Sequence, residues 1–386
     1  MGNEDSKNQP IRVLHLLDNL RIVGGITTCV MNLYRNIDRN LVQFDFLVVF
    51  KMEDTYYDEI ISLGGRVYYL DSPSSGGLFS MISGYRKYAK SASLFFKQHA
   101  SDYIIVHSHT STLSGPVFKA AKKYGVKYRI LHSHSIAYSD DGSMVKNLRN
   151  RLFVIAPKRL ATHYYSGAIK SGEFLYGEKA FSQGRVTVLK NGIDIEKFRF
   201  SPEIRRKYRK ELGLENNFVV GHVGRMTPIK NQGKLLEIFA ALCKKKEDAV
   251  LLFIGTGPLQ DQLIEEAKQM NILNRIHHLG ARNDVNNLMQ AMDCFVLPSL
   301  TEGVPMVGIE AQAAGLPVFF SEGVPDAAFV VNAEKIFLSQ SAEAWADIIL
   351  EKAGSYVRRD TADAITDGGY NITATAAQLQ KFYLSL

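Results

Sequence analysis

The feature that most limits the folds open to this chain is an alternation. Short apolar runs of strand length are separated by stretches with helical periodicity, from near the first residue to near the last. In the first half Ile11–Leu17, Phe44–Phe50, Arg66–Leu70, Tyr103–His107, Tyr128–Leu131, Thr162–Ser166 and Val186–Leu189 read as strands, and Thr27–Asn36, Tyr56–Leu63 and Leu78–His99 as helices. In the second half the strands are Phe218–Val223, Ala249–Ile254, Ile276–Gly280 and Asp293–Pro298; the helices include Ser201–Leu212, Leu235–Lys244, Asp284–Met292 and Ala342–Lys352. Residues Ala328–Ser339 read as irregular, and Thr373–Leu386 as apolar-periodic. Strands that alternate with helices predict an α/β architecture of mostly parallel, doubly wound sheets. At 386 residues the chain exceeds one ordinary core and suits two such domains.

In open α/β sheets ligands bind beyond the carboxyl ends of the strands, so the loops there carry the functional reading. The most informative is Ser299–Val318, SLTEGVPMVGIEAQAAGLPV. Glu302 and Glu310 stand eight residues apart, separated by the turn-like Gly303-Val304-Pro305 and the start of a helical pattern over Met306–Ala314. Pro305 suits the first helical position, whose N–H is unpaired in any case. The N–H groups of Met306, Val307 and Gly308 then face an anion, which the helix dipole also favours. A carboxylate at Glu310 repels phosphate but accepts hydrogen bonds from a ribose a turn away; Glu302, on the loop, suits a second polyol. The pattern is that of a nucleotide-sugar. The plainer alternative is a solvated glutamate pair, against which the apolar, glycine-rich surroundings count.

Other strand ends add to this. Gly224-Arg225 follows Phe218–Val223, with Lys230 five residues later; two fixed cations there can clamp a diphosphate, the guanidinium as a fork and the ammonium as a point charge. Taken alone they are an ordinary surface pair. Gly24-Gly25 lies between the first strand and first helix, where missing side chains let a ligand approach the backbone, or simply permit a tight turn. His107-Ser108-His109 and His132-Ser133-His134 each close a strand. H-x-H places both imidazoles on one strand face, so a metal is an option, but no acidic or cysteine partner sits at ligand spacing and none is expected. Hydrogen bonding to a sugar or phosphate is the favoured use, against a purely structural role. Gly255-Thr256-Gly257 matches the dinucleotide fingerprint only in part.

Composition excludes several classes. The three cysteines are scattered and fit no disulfide or zinc spacing, which points to a reducing, cytoplasmic setting. No run approaches membrane-spanning length, and the polar first ten residues do not read as a signal peptide. Met1–Ser6 fits a loose myristoylation pattern that is often met by chance. The net charge of +7 is uneven: residues 1–200 hold 27 basic and 17 acidic side chains, the remainder 19 and 22. A basic first half suits an anionic partner, such as a lipid surface or a lipid-linked diphosphate, or serves only solubility. Met144–Leu160, with Lys146, Arg149, Arg151, Lys158 and Arg159 among apolar residues and an interruption at Pro157, fits the inner face of a membrane or a solvated helix. Ala137–Ser143 reads as a polar loop over an acceptor. Nothing resembles a nucleic-acid-binding motif.

The segment S-x-x-E-G-x-P…E-A-x-A-x-G-x-P-V, together with V-G-R…K at 223–230 and Asn191-Gly192-Ile193-Asp194, resembles the retaining GT4 glycosyltransferases of GT-B fold, in their capsular and exopolysaccharide branch. The resemblance implies two Rossmann-like domains facing a central cleft: residues 1–197 for the acceptor, 198–368 for the donor, and 369–386 as a helix that crosses back to the first domain. It implies that Glu302 and the backbone of Gly303, Val304, Pro305, Met306 and Val307 hold the donor hexose and its phosphate, and that Glu310 holds the ribose. Gly224, Arg225 and Lys230 would face the diphosphate, Arg282 would hold the base mostly by backbone, and Gly24 and Gly25 would line the cleft. His134 would reach the sugar near the reaction centre, with His109 and His132 in reserve and Ser166 as a minor candidate. The implied reaction is transfer of a hexose-type sugar from a nucleotide-sugar, a UDP-sugar by expectation, to a saccharide or lipid-linked acceptor, with retention and without a metal or other cofactor. Where relatives carry EGFG this chain has EGVP, and where many carry an acidic residue after the glycine pair it has Thr27. Two other readings are a nucleotide-sugar epimerase of the same architecture, which would need acid/base carboxylates in the first domain, and a non-catalytic nucleotide-sugar-binding partner of another transferase.

Overall fold

The computed structural model describes residues 9–22, 25–73, 78–136 and 144–386, the side chains of 78–82 aside. Gly24, the Met1–Ser6 pattern and the Ala137–Ser143 loop fall outside these. The chain divides into two units, one of residues 1–192 and 372–386, the other Ile193–Asn371.

The first unit holds a seven-stranded parallel sheet. Its strands are β1 (Ile11–Leu17), β2 (Val42–Val48), β3 (Val67–Tyr69), β4 (Ile105–Ser108), β5 (Tyr128–Ser133), β6 (His163–Ser166) and β7 (Val186–Val188), in the order β3-β2-β1-β4-β5-β6-β7. The second unit holds six: β8 (Phe218–Val223), β9 (Ala249–Ile254), β10 (Ile276–Gly280), β11 (Cys294–Leu297), β12 (Val318–Ser321) and β13 (Ala333–Ile336), in the order β10-β9-β8-β11-β12-β13. In each sheet the first strand has the second on one side and a later one on the other. That reversal is a topological switch point, between β1 and β4 and between β8 and β11.

The strands β2, β9, β11 and β12 are buried along their whole length, as parallel strands covered on both faces must be. One layer of the second core joins Phe295, Ile309 and Phe320; the other gathers Leu235, Phe239, Phe319 and Trp345. Local chemistry sets the helix ends. Ser201 Oγ accepts from the N–H of Ile204, and Gly213 closes the same helix in the left-handed region at φ 67°. That charged helix is held from within: Arg205 and Arg209 both bind Asp293, whose carboxylate also accepts from the N–H of Val219 at the start of β8.

Four expectations need correction. The boundary lies at Gly192/Ile193 rather than after 197, because Ile193, Ile195 and Phe198 are buried in the second core and the N–H of Ile193 donates to Tyr370 O. The chain rejoins the first unit at Ile372, where Ile372, Ala376, Leu379 and Tyr383 of the helix Ile372–Leu384 pack into its core. Residues Ala333–Ile336 form a strand rather than irregular chain: as an edge strand carrying Glu334 and Lys335 it lacks the apolar run that marks a central one. Pro157 does not interrupt the basic segment. The break falls at Val154, and Pro157 is the third residue of the helix Ile155–Leu160, where its missing N–H has no intrahelical partner to lose.

Candidate active site

In the second unit the loop after β8 and the loop after β11 are pinned together across the switch point. Leu300 N–H donates to Ile229 O at 2.8 Å, and Asn231 Nδ2 donates to Pro298 O at 3.1 Å. Asn231 sits in the left-handed region at φ 52°, which asparagine tolerates better than most residues and which turns the chain from a short 3-10 turn into the helix Gln232–Lys245. The result brings Lys230 onto Glu302: Nζ donates to Oε1 at 2.6 Å, with the two side chains 19% and 12% exposed. Ser299 Oγ donates to the same oxygen at 2.7 Å and is held in turn by Ser321 Oγ, which donates to Ser299 O. One carboxylate oxygen is thus fixed by two donors, and two of the three ammonium protons are left for a ligand.

The helix Met306–Ala313 starts beside this pair. Pro305 is its N-cap, at ψ 104°, rather than its first helical residue. Gly308 N–H donates to Pro305 O at 2.9 Å, so of the three expected anion donors only Met306 and Val307 lie ahead of the intrahelical bonds. Gly303 forms the bend before the cap, while Val304, Met306 and Val307 rest partly buried on the core. Glu310 lies one turn further on. Burial pushes its carboxyl up to about 7, against the opposing pull of Lys197. Arg225 is exposed, and its backbone carbonyl is anchored by Gln232 Nε2 at 3.0 Å. Arg282 is exposed too, but its guanidinium is engaged as a fork on Asp284, at 2.8 and 2.7 Å, which leaves the backbone for any ligand contact there.

The Gly255–Gly257 turn has a different logic from a phosphate cradle. A Cβ on Gly255 would stand 2.1 Å from Gly224 O, and one on Gly257 2.3 Å from Met226 O. These glycines let the turn after β9 lie directly on the Gly224–Met226 backbone, joined by the bond from Met226 N–H to Thr256 O. They support the Arg225 loop from behind. His222, which the sequence reading passed over as part of a strand, joins β8 to β11: Nδ1 donates to Val296 O at 2.9 Å, leaving Nε2 to accept from Gln232. Burial lowers its pKa to about 4, so it is neutral. A separate depression, lined in part by Lys234, Glu237 and Met270, contains none of the expected ligand residues.

In the first unit, the two H-x-H pairs converge with a fifth imidazole, His15 of β1. His15 Nδ1 meets His109 Nε2 at 2.9 Å, His109 Nδ1 meets His134 Nε2 at 2.9 Å, and His107 Nε2 meets His132 Nδ1 at 3.1 Å. Tyr383 Oη closes on His107 Nδ1 at 2.5 Å. Burial depresses the pKa of all five, to about 3 for His15 and about 4 for His134. His109 therefore has both nitrogens engaged and is a poor reserve for sugar binding, while His132 and His134 each keep one nitrogen without a partner. Ser166 Oγ is buried, also without a partner. Gly25 opens the first helix with no atom within 4 Å of where its Cβ would be. His15 and Tyr383 were not singled out from sequence; the signal for His15 is a lone imidazole inside an apolar strand.

Residues 204–352 match the glycosyl transferases group 1 family. The chain is 32% identical over 381 residues to the Bacillus subtilis (strain 168) protein EpsF, whose name places it among the glycosyltransferases, covering 96% of both chains. Over 225 residues it is 33% identical to a UDP-Gal:alpha-D-GlcNAc-diphosphoundecaprenol alpha-1,3-galactosyltransferase of Escherichia coli, covering 57% of this chain and 58% of that one. Among solved structures, Anabaena HepE in complex with UDP and glucose superimposes with a TM-score of 0.73, over 97% of this chain and 100% of that chain, at 22% identity.

Proposed function

This chain belongs to the group 1 glycosyl transferases and has their two-unit, Rossmann-like GT-B fold, and on that premise we propose that it moves a hexose-type sugar from a UDP-sugar to a lipid-linked saccharide, with retention, in exopolysaccharide or capsule-type synthesis. The observation that carries this reading is the Lys230–Glu302 pair, held by two interlocked loops at the carboxyl ends of β8 and β11. The E. coli relative, which by name takes UDP-Gal and a diphosphoundecaprenol acceptor, supports the choice of donor and acceptor.

In this reading the diphosphate lies over the start of the helix Met306–Ala313. Its charge is met by the N–H groups of Met306 and Val307, by the free guanidinium of Arg225 and by the remaining protons of Lys230, in place of a metal ion. Glu302 orients the hexose and Glu310 accepts from the ribose. His134 Nδ1, the nitrogen that His109 leaves unengaged, serves as a hydrogen-bond group to the sugar. As the bond from the anomeric carbon to the phosphate oxygen breaks, the bond to the acceptor oxygen forms on the same face. The acceptor proton passes to the departing phosphate.

Helical residues Met144, Val145, Leu148 and Leu152 are exposed, at 86%, 80%, 64% and 59%, on the same segment as Lys146, Arg149 and Arg151. That combination supports contact with an anionic membrane surface, where a lipid-linked acceptor would be found.

The test is nucleoside diphosphate release from a panel of donors, with polyprenyl-diphosphate saccharides as acceptors and the anomeric configuration of the product read by NMR. Lys230→Ala and Glu302→Ala should each cut turnover by two orders of magnitude or more with the fold intact. Turnover of both variants within a few-fold of the parent would remove the site assignment; an inverted product would remove the mechanism but not the site.

A further inference from the structure

The five histidines of the first unit are more than hydrogen-bonding needs, since three of their nitrogens, His15 Nε2, His132 Nε2 and His134 Nδ1, are buried without a partner. We propose that His109, His132 and His134 form a binding site for a divalent transition metal, zinc in the first instance, with His15 and His107 as positioning residues behind it. The three ligand residues can bring one nitrogen each within 4.8 Å of one another. They come from two adjacent parallel strands and the loops that follow, so the sheet itself sets their spacing. His134 is only partly buried, which gives an ion a way in, whereas the alternative group of His15, His107 and His109 lies wholly within the core.

The hydrogen bonds behind two of these rings, His109 and His132, are those a metal site requires. A ligating imidazole donates its other N–H to a fixed partner, which sets the tautomer. His132 Nδ1–H donates to His107 Nε2, so that Nε2 of His132 presents a lone pair, and His107 Nδ1–H is taken by Tyr383 Oη. His109 Nε2–H donates to His15 Nδ1, so that Nδ1 of His109 presents a lone pair. That nitrogen and His134 Nε2 stand 2.9 Å apart. A tetrahedral ion with bonds of about 2.0–2.1 Å needs them at roughly 3.4 Å, so on binding the partly buried His134 gives up its bond to His109 and turns off the His132 ring, on which it stacks at 4.1 Å. Ligation through Nε2 fixes the His134 proton on Nδ1, the atom assigned above to the sugar. All-imidazole ligation suits zinc, cobalt, nickel or copper and not magnesium or calcium. The assignment stands on the histidines alone and holds whatever the donor sugar is.

The experiment is a titration of the full-length, chelator-treated protein with cobalt(II), followed by its visible absorption, and then competition with zinc(II), without nucleotide. One equivalent should bind at micromolar concentration with an intense tetrahedral spectrum that zinc erases. His109→Gln and His132→Gln should abolish the spectrum, His277→Gln in the other unit should leave it unchanged, and His15→Gln should weaken binding about 10–100-fold. Because core histidine variants can misfold, the intact chain supplies a second readout: on adding zinc, the ring nitrogens of His109, His132 and His134 should shift together in long-range nitrogen–proton NMR spectra. A folded parent that binds no cobalt, a spectrum retained in both glutamine variants, or zinc-induced shifts confined to other histidines would overturn the proposal.

Discussion

Replacing Glu310 by glutamine should make the protein more stable and worse at its task, with both effects set by pH. Burial raises the carboxyl from an ordinary 4.5 to about 7. A group whose folded pKa lies above its unfolded one favours the fold fully at low pH, and that contribution is lost as pH rises from about 4.5 through about 7. The shift is worth at most about 3 kcal/mol at 1.36 kcal/mol per unit, and residual solvent contact reduces it to about 2 kcal/mol. Glutamine keeps the shape and never ionises. Glu310→Gln should therefore match the parent within about 1 kcal/mol at pH 5 and exceed it by about 2 kcal/mol at pH 8. Urea unfolding followed by fluorescence reads this in the correct unit, because the chain's one tryptophan, Trp345, is buried in the second core. At pH 8 the same variant should bind UDP roughly ten-fold or more weakly, since hydrogen bonds to an ionised acceptor contribute about 1.5–3 kcal/mol. A stability difference that is flat from pH 5 to 8 would show that the carboxyl is not desolvated, and the argument for its ligand role from burial would fall with it.

Gly255→Ala should destabilise the second unit by several kcal/mol and weaken UDP binding, because its Cβ would meet Gly224 O at 2.1 Å on a backbone at φ 131°; calorimetry of the variant with and without UDP checks both, and a near-parental melting temperature would show that the two turns are not packed as described. Leu148→Asp combined with Leu152→Asp should abolish sedimentation with anionic vesicles while leaving diphosphate release to a soluble acceptor unchanged; vesicle binding equal to the parent's would place any membrane contact elsewhere.

The legible and illegible parts of this molecule divide by sequence separation. The limits of β8, β9 and β10 follow directly from apolar runs between turn residues, and they agree with the structure to the residue. β13 escaped because its Glu334 and Lys335 belong to an edge, where only one side of the strand has to be paired. The motif singles out Arg225, Lys230, Glu302 and Glu310 as candidates; the loops that carry the first three follow strands as expected, and Glu310 lies on the helix beyond. That Lys230 would neutralise Glu302 was not readable, because the two residues are 72 positions apart and meet only once two loops interlock. Pro305 illustrates a finer limit: both the N-cap and the first helical position accept proline, and only the backbone angle distinguishes them.

The histidines point to a rule shared by the two units. His15 is the fifth residue of β1 and His222 the fifth of β8, and each of these strands is the one beside which its sheet reverses direction. Across that reversal the β8–β11 ladder pairs only Val220 with Cys294 and Gly221 with Phe295, and the next carbonyl, that of Val296, is satisfied by the His222 ring. In the first unit the β1–β4 ladder stays paired through His15 and Leu16, and the His15 ring reaches the side chain of His109 just beyond β4. A neutral imidazole carries one donor and one acceptor on a rigid ring, so it can tie neighbouring strands and hand the opposite polarity to the loop above. In the second unit that polarity is passed to Gln232 Nε2, which anchors the Arg225 loop. In the first it is passed through His109 to His134, and the series ends on a buried nitrogen that nothing in the described chain satisfies. Buried polar atoms left unpaired cost about 1–3 kcal/mol each. Each bridge thus ends on a buried polar atom without a partner, Gln232 Oε1 in the second unit and His134 Nδ1 in the first; only in the first do further imidazole nitrogens, His15 Nε2 and His132 Nε2, share that condition, which is the physical reason to look for a ligand there.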